Sequence, residues 1–242
     1  MRTIVIGDIH GAYRALRQLL EKISPAAGDK LIFVGDYVDG WSESAQVVSL
    51  LLQLRQQVSC LFLKGNHDTW WGEWLRTGKT DETWLMHGGY ATIESYKLVT
   101  REAKNEHYDF FSSLENYHID THNRLFIHAG FTSRRGPAFE RHAENYLWDR
   151  TLWEVAVTLN PVIQKTSVLY PKRLLLFDQI YLGHTPTLRY QVTVPMHAAN
   201  VWNVDTGAAF TGRLSALEIE TGEYWQSDIV QDLYPLEKGR NR

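Results

Sequence analysis

Five short polar motifs occur along the chain, each directly after a run of apolar residues. They combine aspartate, asparagine and histidine with flanking glycines, which permit tight turns and close backbone approach at a crowded site. Oxygen ligands from Asp and Asn, together with nitrogen ligands from His, suit divalent manganese, iron or zinc. The motifs are Gly7-Asp8-Ile9-His10-Gly11, Gly35-Asp36-Tyr37-Val38-Asp39-Gly40, Gly65-Asn66-His67-Asp68, Ile127-His128-Ala129-Gly130 and Leu182-Gly183-His184-Thr185-Pro186.

Each motif taken alone has an ordinary structural explanation. Gly-Asp pairs after strands are common turns, so Asp8 or Asp36 alone would more often be a turn or cap residue. A single His128 or His184 would more often be a hydrogen-bonded structural residue. The occurrence of all five motifs in order, each at a predicted strand end, favours a shared metal site instead.

Apolar periodicity predicts the elements that would position the first three motifs. β-Branched and apolar runs predict strands at Thr3–Gly7, Leu31–Val34 and Ser59–Leu63. Helical spacing of leucines predicts helices over Ala12–Ile23 and Glu43–Leu54 between those strands. Strands that alternate with helices are typical of an α/β sheet, and ligands of such sheets bind beyond the carboxyl ends of the strands.

The rest of the chain predicts a mostly helical middle, Thr69–Glu115, and a β-rich end. Since no linker, repeat or low-complexity segment is visible, we predict one domain over residues 1–242. Its predicted class is α/β (α+β), with two packed mixed β-sheets flanked by helices. The further predicted elements are a hairpin of Tyr117–Thr121 and Arg124–His128, a helix near Leu152–Leu159, and strands at Gln179–Leu182, Gln191–Val194, Ala199–Val204 and Leu214–Ile219.

Composition limits the classes of partner and compartment. The 242 residues include 44% hydrophobic residues and carry a formal net charge of −3, so the chain has no basic footprint for nucleic acid or for an anionic membrane. No apolar stretch reaches the ~20 residues that cross a bilayer. One cysteine, Cys60, and no visible signal peptide indicate a cytoplasmic protein.

The ordered motif set resembles the phosphoprotein phosphatase branch of the calcineurin-like metallophosphoesterases. The bacterial and bacteriophage lambda type of serine/threonine protein phosphatase is nearest. The similarity continues through Leu85-Met86-His87-Gly88-Gly89, Leu147-Trp148-Asp149-Arg150 and Val204-Asp205-Thr206-Gly207, and it covers about residues 3–220. The resemblance implies the calcineurin-like fold, a β-sandwich flanked by helices.

The resemblance also implies a cofactor of two divalent metal ions, for which we expect Mn²⁺, with iron or zinc as alternatives. A hydroxide bridging two such ions is a nucleophile available at neutral pH, and it would attack phosphorus in line with the leaving oxygen. The ligands implied by the resemblance are Asp8 and His10 for the first ion, Asp36 as a bridge, and Asn66, His128 and His184 for the second ion.

Two further residues resemble the family's proton-donating pair. His67 would be the general acid that protonates the departing oxygen. Asp39 would hold its imidazole and raise its pKa. The alternative is that Asp39 and His67 form only a structural hydrogen bond.

Substrate phosphate requires cationic or polar donors. Arg150 resembles one of the family's phosphate-binding arginines, and its alternative is a surface ion pair with Asp149 or Glu154. Asn66 is expected to contact the phosphate as well as a metal ion. Lys64 is a further candidate, as a point charge, although a lysine at a strand end is often merely solvated.

The chain departs from the family's pattern at two phosphate-binding positions. It has Gly40-Trp41 where the family usually has Arg-Gly, and Lys64 where the family usually has Arg before Gly-Asn-His. Lysine does not replace a bidentate guanidinium without loss. These departures leave the identity of the substrate more open than the type of reaction.

Tryptophans cluster after His67 and beside the second motif. Trp70, Trp71 and Trp74 have near-helical spacing, which favours a packed helix face over an apolar wall for a tyrosyl or nucleoside leaving group. Asp205 is expected either to orient metal ligands or to form a β-turn.

We predict a metal-dependent phosphoester hydrolase, most simply a protein serine/threonine or tyrosine phosphatase. Its substrates would be phosphoproteins, phosphopeptides or small phosphoesters. The alternative is a symmetrical dinucleoside polyphosphate hydrolase of the diadenosine tetraphosphate (Ap4A) kind, which shares Gly-Asn-His-Asp. The Gly-His-Thr-Pro motif favours the protein phosphatase. A second alternative is a non-catalytic metal-binding scaffold, which would not need the His67–Asp39 pair.

Overall fold

The structure is a computed structural model that describes residues 1–241. Ten strands in that range form two five-stranded sheets. The strands are β1 (Thr3–Ile6), β2 (Lys30–Phe33), β3 (Ser59–Phe62), β4 (Tyr117–Ile119), β5 (Arg124–Ile127), β6 (Gln179–Leu182), β7 (Met196–Ala198), β8 (Val201–Asn203), β9 (Ser215–Glu218) and β10 (Tyr224–Gln226).

Helices of very different length connect the strands. The longest helices are the three that follow β1, β2 and β3, together with one more in the middle of the chain. The helices are α1 (Tyr13–Ile23), α2 (Ser44–Leu54), α3 (Asn66–Thr77), α4 (Glu82–Trp84), α5 (Tyr90–Ser95), α6 (Arg101–Ser112), α7 (Asn145–Trp148), α8 (Thr151–Thr158) and α9 (Val230–Leu233), with a π-helical turn at Leu85–Gly89 and 3-10 turns at Pro137–Phe139, Lys172–Leu175 and Thr187–Tyr190.

Each sheet is built around three parallel strands. The first sheet has the order β10-β9-β1-β2-β3, with β1, β2 and β3 parallel. The second sheet has the order β4-β5-β6-β8-β7, with β5, β6 and β8 parallel. The outer strands β4, β7, β9 and β10 run antiparallel to their neighbours. The predicted pair of mixed sheets flanked by helices is confirmed.

Alternate residues of the strands face different layers, as the two-residue period of a strand requires. Ile4 and Ile6 pack with the helices on the outer face of the first sheet, whereas Val5 lies in the layer between the sheets. In the second sheet Phe126 joins that middle layer, while its neighbours belong to the outer cluster around α8. Helix α1 presents Leu16, Leu19 and Ile23 to the core.

Two strand predictions differ from the structure. The predicted strand Gln191–Val194 is wrong, because Thr187 closes a turn there: its hydroxyl donates to Val192 O at 2.8 Å, and Val192 N donates back to Thr187 O at 3.2 Å. Strand β7 begins only at Met196, and β10 was not predicted. The other predicted elements shift by one or two residues at their ends, which is the usual uncertainty of such boundaries.

Among the helices of residues 1–241, none combines the length and the apolar character that crossing a bilayer demands.

Candidate metal centre

The five motifs meet at the carboxyl ends of the parallel strands. Strand β1 leads into Asp8 and His10, β2 into Asp36 and Asp39, and β3 into Asn66 and His67 at the start of α3; β5 leads into His128 and β6 into His184. All eight side chains are buried. The backbone at His10, Asp36, Asp39 and His184 has positive φ, a conformation that is uncommon outside glycine and concentrates at functional sites.

His10 directs one ring nitrogen into the centre. Its Nδ1 lies 3.1 Å from Val38 O and 3.0 Å from Asp39 O. Because a carbonyl oxygen only accepts, Nδ1 carries the hydrogen and Nε2 presents its lone pair to the centre. That Nε2 lies 3.4 Å from Asp36 Oδ2.

His128 is oriented in the same way from the second sheet. Its Nδ1 donates to Val34 O at 2.8 Å, so its Nε2 also has a lone pair. This Nε2 lies 3.6 Å from Asp36 Oδ2 and 3.2 Å from Asn66 Oδ1. Asp36 Oδ2 therefore lies between an imidazole of each sheet, which is the location expected of a bridging carboxylate.

Asp8 and His184 complete the cluster with unpartnered atoms. The backbone N–H of His184 donates to Asp8 Oδ2 at 3.0 Å, and His184 Nδ1 lies 3.0 Å from Asn66 Oδ1. Asp8 Oδ1 and His184 Nε2 are buried and have no hydrogen-bond partner within residues 1–241. Buried polar atoms normally have one. Buried acceptor atoms that converge without partners of their own fit divalent cations, so the residues present suit the implied metal pair.

Ligand atoms of the cluster form two groups that share Asp36. His10, Asp36 and His67 offer atoms within 4.8 Å of one another, and so do Asp36, His128 and His184. Asp8, expected in the first group, lies outside both of these sets, although its neighbour in space, His184, belongs to the second. Two adjacent groups with one common carboxylate are the arrangement that a dinuclear centre requires.

The buried carboxyl groups of the centre have raised pKa values, which is the environment that a bound cation would counteract. Burial raises the pKa of Asp36 to about 7. Burial raises the pKa of Asp8 well above its usual value, and the charges of Asp205 and Asp36 add to that shift. Asp205 itself has its pKa raised to about 7, again by burial. Bound cations would favour the ionised forms of all three.

His67 and Asp39 form the expected pair. His67 Nδ1 lies 2.7 Å from Asp39 Oδ2, and Asp39 also accepts from Trp84 Nε1 at 2.7 Å and from Thr92 Oγ1 at 2.6 Å. Burial lowers the pKa of His67 well below its usual value, opposite to the direction expected from Asp39 alone. The imidazole of His67 lies 4.8 Å from that of His10, centroid to centroid.

Sequence reasoning assigned no role to Asp68, which fixes two of the ligand-bearing loops. Its Oδ2 accepts from Asp36 N and Gly65 N, both at 2.8 Å, and its Oδ1 accepts from Tyr37 N at 2.9 Å. One carboxyl group thus holds the second motif against the third. Its place directly after His67, inside the third motif, was the available signal, but only the fold brings the partner amides within reach.

The β-turn expected at Asp205 lies instead at residues 207–210, where Phe210 N donates to Gly207 O at 2.9 Å. Asp205 forms an Asx-turn through its side chain. Its Oδ1 accepts from Gly207 N at 2.9 Å. Its charge also acts on Asp8, as described above, so within residues 1–241 it influences the centre without a hydrogen bond to a ligand side chain.

Arg150 and Lys64 have different surroundings. Arg150 Nε is buried without a hydrogen-bond partner within residues 1–241. Burial is the main cause of the lowered pKa of His128 and of His184, and the positive charge of Arg150 lowers both pKa values further. In that range Arg150 forms no ion pair with Asp149, which instead lies 3.5 Å from Arg173 Nη1. Arg150 therefore remains a phosphate candidate beside the centre.

The ammonium of Lys64 lies 4.9 Å from the Phe111 ring centroid. This contact explains the lysine without any part in the centre, so its phosphate-binding role stays a prediction. Asn66 has its Oδ1 inside the cluster, as the two histidine contacts above show.

The tryptophans divide into core and rim. Trp71 is fully buried, in agreement with the predicted packed helix face, and Trp84, which lies after that helix, is fully buried too. Trp70 instead lies at the site, with its ring 5.2 Å from that of His67 and 5.3 Å from that of Trp148. Trp148 is 44% exposed, and its ring is 6.0 Å from that of His184. Trp70 and Trp148 form an aromatic rim at the centre.

Comparison with known proteins identifies the family. The model for calcineurin-like phosphoesterases matches residues 1–188. The chain belongs to the calcineurin-like phosphoesterase family. This family is one of metal-dependent hydrolases, so the expected metallophosphoesterase is confirmed at that level.

Curated relatives extend over nearly the whole chain. A protein of Oceanobacillus iheyensis is 25% identical, covering 93% of this chain and 91% of its own length. One of Anoxybacillus flavithermus is 29% identical, covering 90% and 91%. Both are named bis(5'-nucleosyl)-tetraphosphatase PrpE [asymmetrical].

Among solved structures, a serine/threonine protein phosphatase of Saccharomyces cerevisiae superimposes with a TM-score of 0.62. It is 16% identical, and the match covers 90% of this chain and 73% of the yeast chain. At this identity the likeness concerns the fold alone.

Proposed function

We propose that this phosphoesterase hydrolyses dinucleoside polyphosphates, cutting a phosphoanhydride bond at a centre of two divalent cations. The observation that carries the proposal is the place of Asp36 Oδ2, 3.4 Å from His10 Nε2 and 3.6 Å from His128 Nε2. The names of the curated relatives support the substrate class. The same names favour asymmetrical cleavage, which converts a dinucleoside tetraphosphate to a nucleoside triphosphate and a nucleoside monophosphate. The alternative drawn from the sequence was symmetrical cleavage.

The protein's own residues would hold and orient the reactants. Asp8, His10, Asp36, Asn66, His128 and His184 would bind the two cations. When bound, divalent cations supply a water-derived nucleophile at neutral pH and offset negative charge on the phosphoryl oxygens. We infer Mn²⁺ as the native pair and a cytoplasmic location, as predicted from the sequence.

His67 would deliver a proton to the leaving oxygen from Nε2, because its Nδ1 is engaged by Asp39 at 2.7 Å. Trp84 and Thr92 hold the Asp39 carboxylate and so fix the direction of the imidazole. Arg150, whose Nε is buried and unpartnered within residues 1–241, would bind a non-bridging phosphate oxygen.

The aromatic rim supports a nucleoside substrate. Trp70 and Trp148 have rings 5.3 Å apart with an interplanar angle of 73°. Trp148 offers an exposed indole face, whereas Trp70 is half-buried and its ring stacks on that of His87. A nucleobase stacked on such an exposed face contributes about 1–3 kcal/mol. The aromatic rim also fits a phosphotyrosyl group, so a protein phosphatase is the second candidate function.

A substrate panel separates the two candidates. The purified manganese-loaded protein is given Ap4A and, separately, phosphoserine, phosphothreonine and phosphotyrosine peptides. We expect Ap4A to have the higher kcat/KM and to yield ATP and AMP. Two equivalents of ADP would indicate the symmetrical cut, and a preference for phosphopeptides would overturn the proposal.

A rim variant tests the nucleoside contact directly. Trp148→Ala is expected to raise the KM for Ap4A about 5- to 150-fold, the equivalent of one lost stack. Its KM for p-nitrophenyl phosphate should change far less. Trp148→Phe, which retains an aromatic face, is the matched control and should stay near the wild type.

A further inference from the structure

Gly40 stands where the family resemblance calls for an arginine, and the structure shows what fills that space. A side chain at this position would place its Cβ 3.2 Å from Arg240 Cγ and 3.3 Å from His10 O. The φ of Gly40 is +118°, a conformation that side chains rarely adopt. The stem of Arg240 therefore passes through the volume that the family's arginine would need.

The guanidinium of Arg240 reaches the centre. Its Nη1 lies 3.5 Å from His10 Nε2, and its Cζ lies 5.4 Å from the Phe210 ring centroid. Burial lowers the pKa of Arg240, while the carboxyl groups of Asp36 and Asp39 act to raise it. A permanent positive charge thus lies beside the predicted ligands, delivered from 230 residues away in sequence.

The C-terminal tail that carries Arg240 packs on Trp41, which stands where the family usually has glycine. The Trp41 ring stacks on Tyr234 at 5.1 Å, and its Nε1 donates to Ala208 O at 2.8 Å. Gly239 lies so close to Trp41 that a Cβ would be 2.6 Å from the indole Cζ2. Arg240 N donates to Ala209 O at 2.9 Å.

A polar contact reinforces this anchor. Glu237 accepts from Ser42 N at 2.9 Å and from Ser42 Oγ at 2.7 Å. The loop after Gly40 and the tail before Arg240 therefore hold each other in one geometry. The two residues that replace the family's Arg-Gly are explained together: Gly40 leaves room for the incoming arginine, and Trp41 fixes the tail that brings it.

We propose that Arg240 is a phosphate-binding residue of this enzyme, supplied by the C-terminal tail in place of the arginine that the family carries at position 40. Its planar fork matches two non-bridging oxygens of a phosphoryl group. The assignment rests on the proposed hydrolysis of a phosphate compound at the metal centre.

A neighbouring cleft shows where the rest of the substrate would go. A cleft of about 950 Å³ opens at Arg240 and is also lined by Gly40, Tyr90, Arg189 and Phe210. Two arginines and two aromatic rings suit an anionic phosphate chain that ends in a nucleoside.

Inorganic phosphate is the probe for this assignment. Its inhibition constant is measured against p-nitrophenyl phosphate hydrolysis by the manganese-loaded full-length protein, and its binding is measured by calorimetry, which needs no turnover. The variants are Arg240→Met, which keeps the stem without the charge, and Arg240→Lys, which keeps the charge without the fork. Arg135→Met is the matched control, because Arg135 Cζ lies over the Phe139 ring at 3.8 Å. Bound manganese is counted in every variant.

We expect Arg240→Met to weaken phosphate binding about 10- to 100-fold, the loss typical of a charge-assisted hydrogen bond pair. Arg240→Lys should recover part of that loss, and manganese content should stay unchanged. If the inhibition constant and the calorimetric affinity for phosphate are unchanged in Arg240→Met, the assignment is overturned. Tighter manganese binding with faster turnover would also overturn it, since the guanidinium would then only balance the buried carboxylates.

Two safeguards keep the result interpretable. If Arg240→Met does not fold, as judged by its thermal unfolding, Arg240→Lys alone decides: phosphate binding equal to wild type refutes the role of the fork. Failure of the wild type to cleave Ap4A would refute the proposed substrate and leave the calorimetric result on Arg240 standing.

Discussion

Gly183→Ala is the substitution whose effect on the centre follows most directly from the packing. A Cβ at position 183 would overlap Asp8 Oδ1 and would lie 2.9 Å from Val34 Cγ2. The Asp8 carboxylate would have to retreat by about 1 Å to restore ordinary contact. It cannot do so freely, because its other oxygen accepts from His184 N at 3.0 Å.

A misplacement of about 1 Å in a catalytic group costs about 100-fold in rate. We therefore expect Gly183→Ala to lose about two orders of magnitude in kcat/KM for p-nitrophenyl phosphate. Manganese affinity should fall in parallel, because Asp8 is an expected ligand. Overpacking should also lower the free energy of unfolding by about 1–3 kcal/mol.

The assay is a manganese titration of activity, together with a urea unfolding curve at saturating metal. Gly28→Ala is the matched control: the same methyl group is added where nothing lies within 4 Å. It should behave as wild type in both measurements. Wild-type activity and manganese affinity in Gly183→Ala would refute the close approach of this glycine to the Asp8 carboxylate.

Three further predictions concern other parts of the molecule. His67→Asn should slow hydrolysis of phosphoserine far more than that of p-nitrophenyl phosphate, because a weakly basic leaving group departs without a proton; equal losses in kcat would contradict the general-acid role. Gly40→Arg should weaken phosphate inhibition, since its Cβ would lie 3.2 Å from Arg240 Cγ at a φ of +118°; tighter inhibition would contradict the crowding. Burial lowers the pKa of His107 to about 4, so its contribution to stability is full above the unfolded value of about 6.5 and falls as pH drops toward 4. Urea unfolding of the metal-free protein should show that His107→Gln removes a pH-dependent difference on the order of 3 kcal/mol over this range, whereas His122→Gln, at an exposed site, should keep the wild-type slope.

The centre was largely predictable because its ligands follow strands directly. Asp8, Asp36 and Asn66 come within a few residues of the apolar runs that form β1, β2 and β3, and parallel strands bring their carboxyl ends to one edge. Local sequence therefore fixed both the residue type and the approximate place. The lowered pKa of His67 could not be predicted from local sequence. It results mainly from burial, and burial depends on the packing of the whole fold.

Features that depend on distant contacts were not predictable. Arg240 reaches the centre only because Trp41 and Tyr234 stack, and no local pattern links residues so far apart in sequence. The alternating run at Gln191–Val194 is typical of a strand, yet the hydroxyl of Thr187 closes a turn on it. In each case a specific tertiary contact prevailed over the local preference.

The most direct test of the account is a crystal structure of the manganese-loaded protein, with the anomalous signal of manganese used to locate the ions. We expect two peaks about 3.5–4 Å apart, with Asp36 in contact with both. A single peak, or peaks away from Asp36, would contradict the shared-carboxylate centre. The expected ligands are Asp8 and His10 at one ion and Asn66, His128 and His184 at the other.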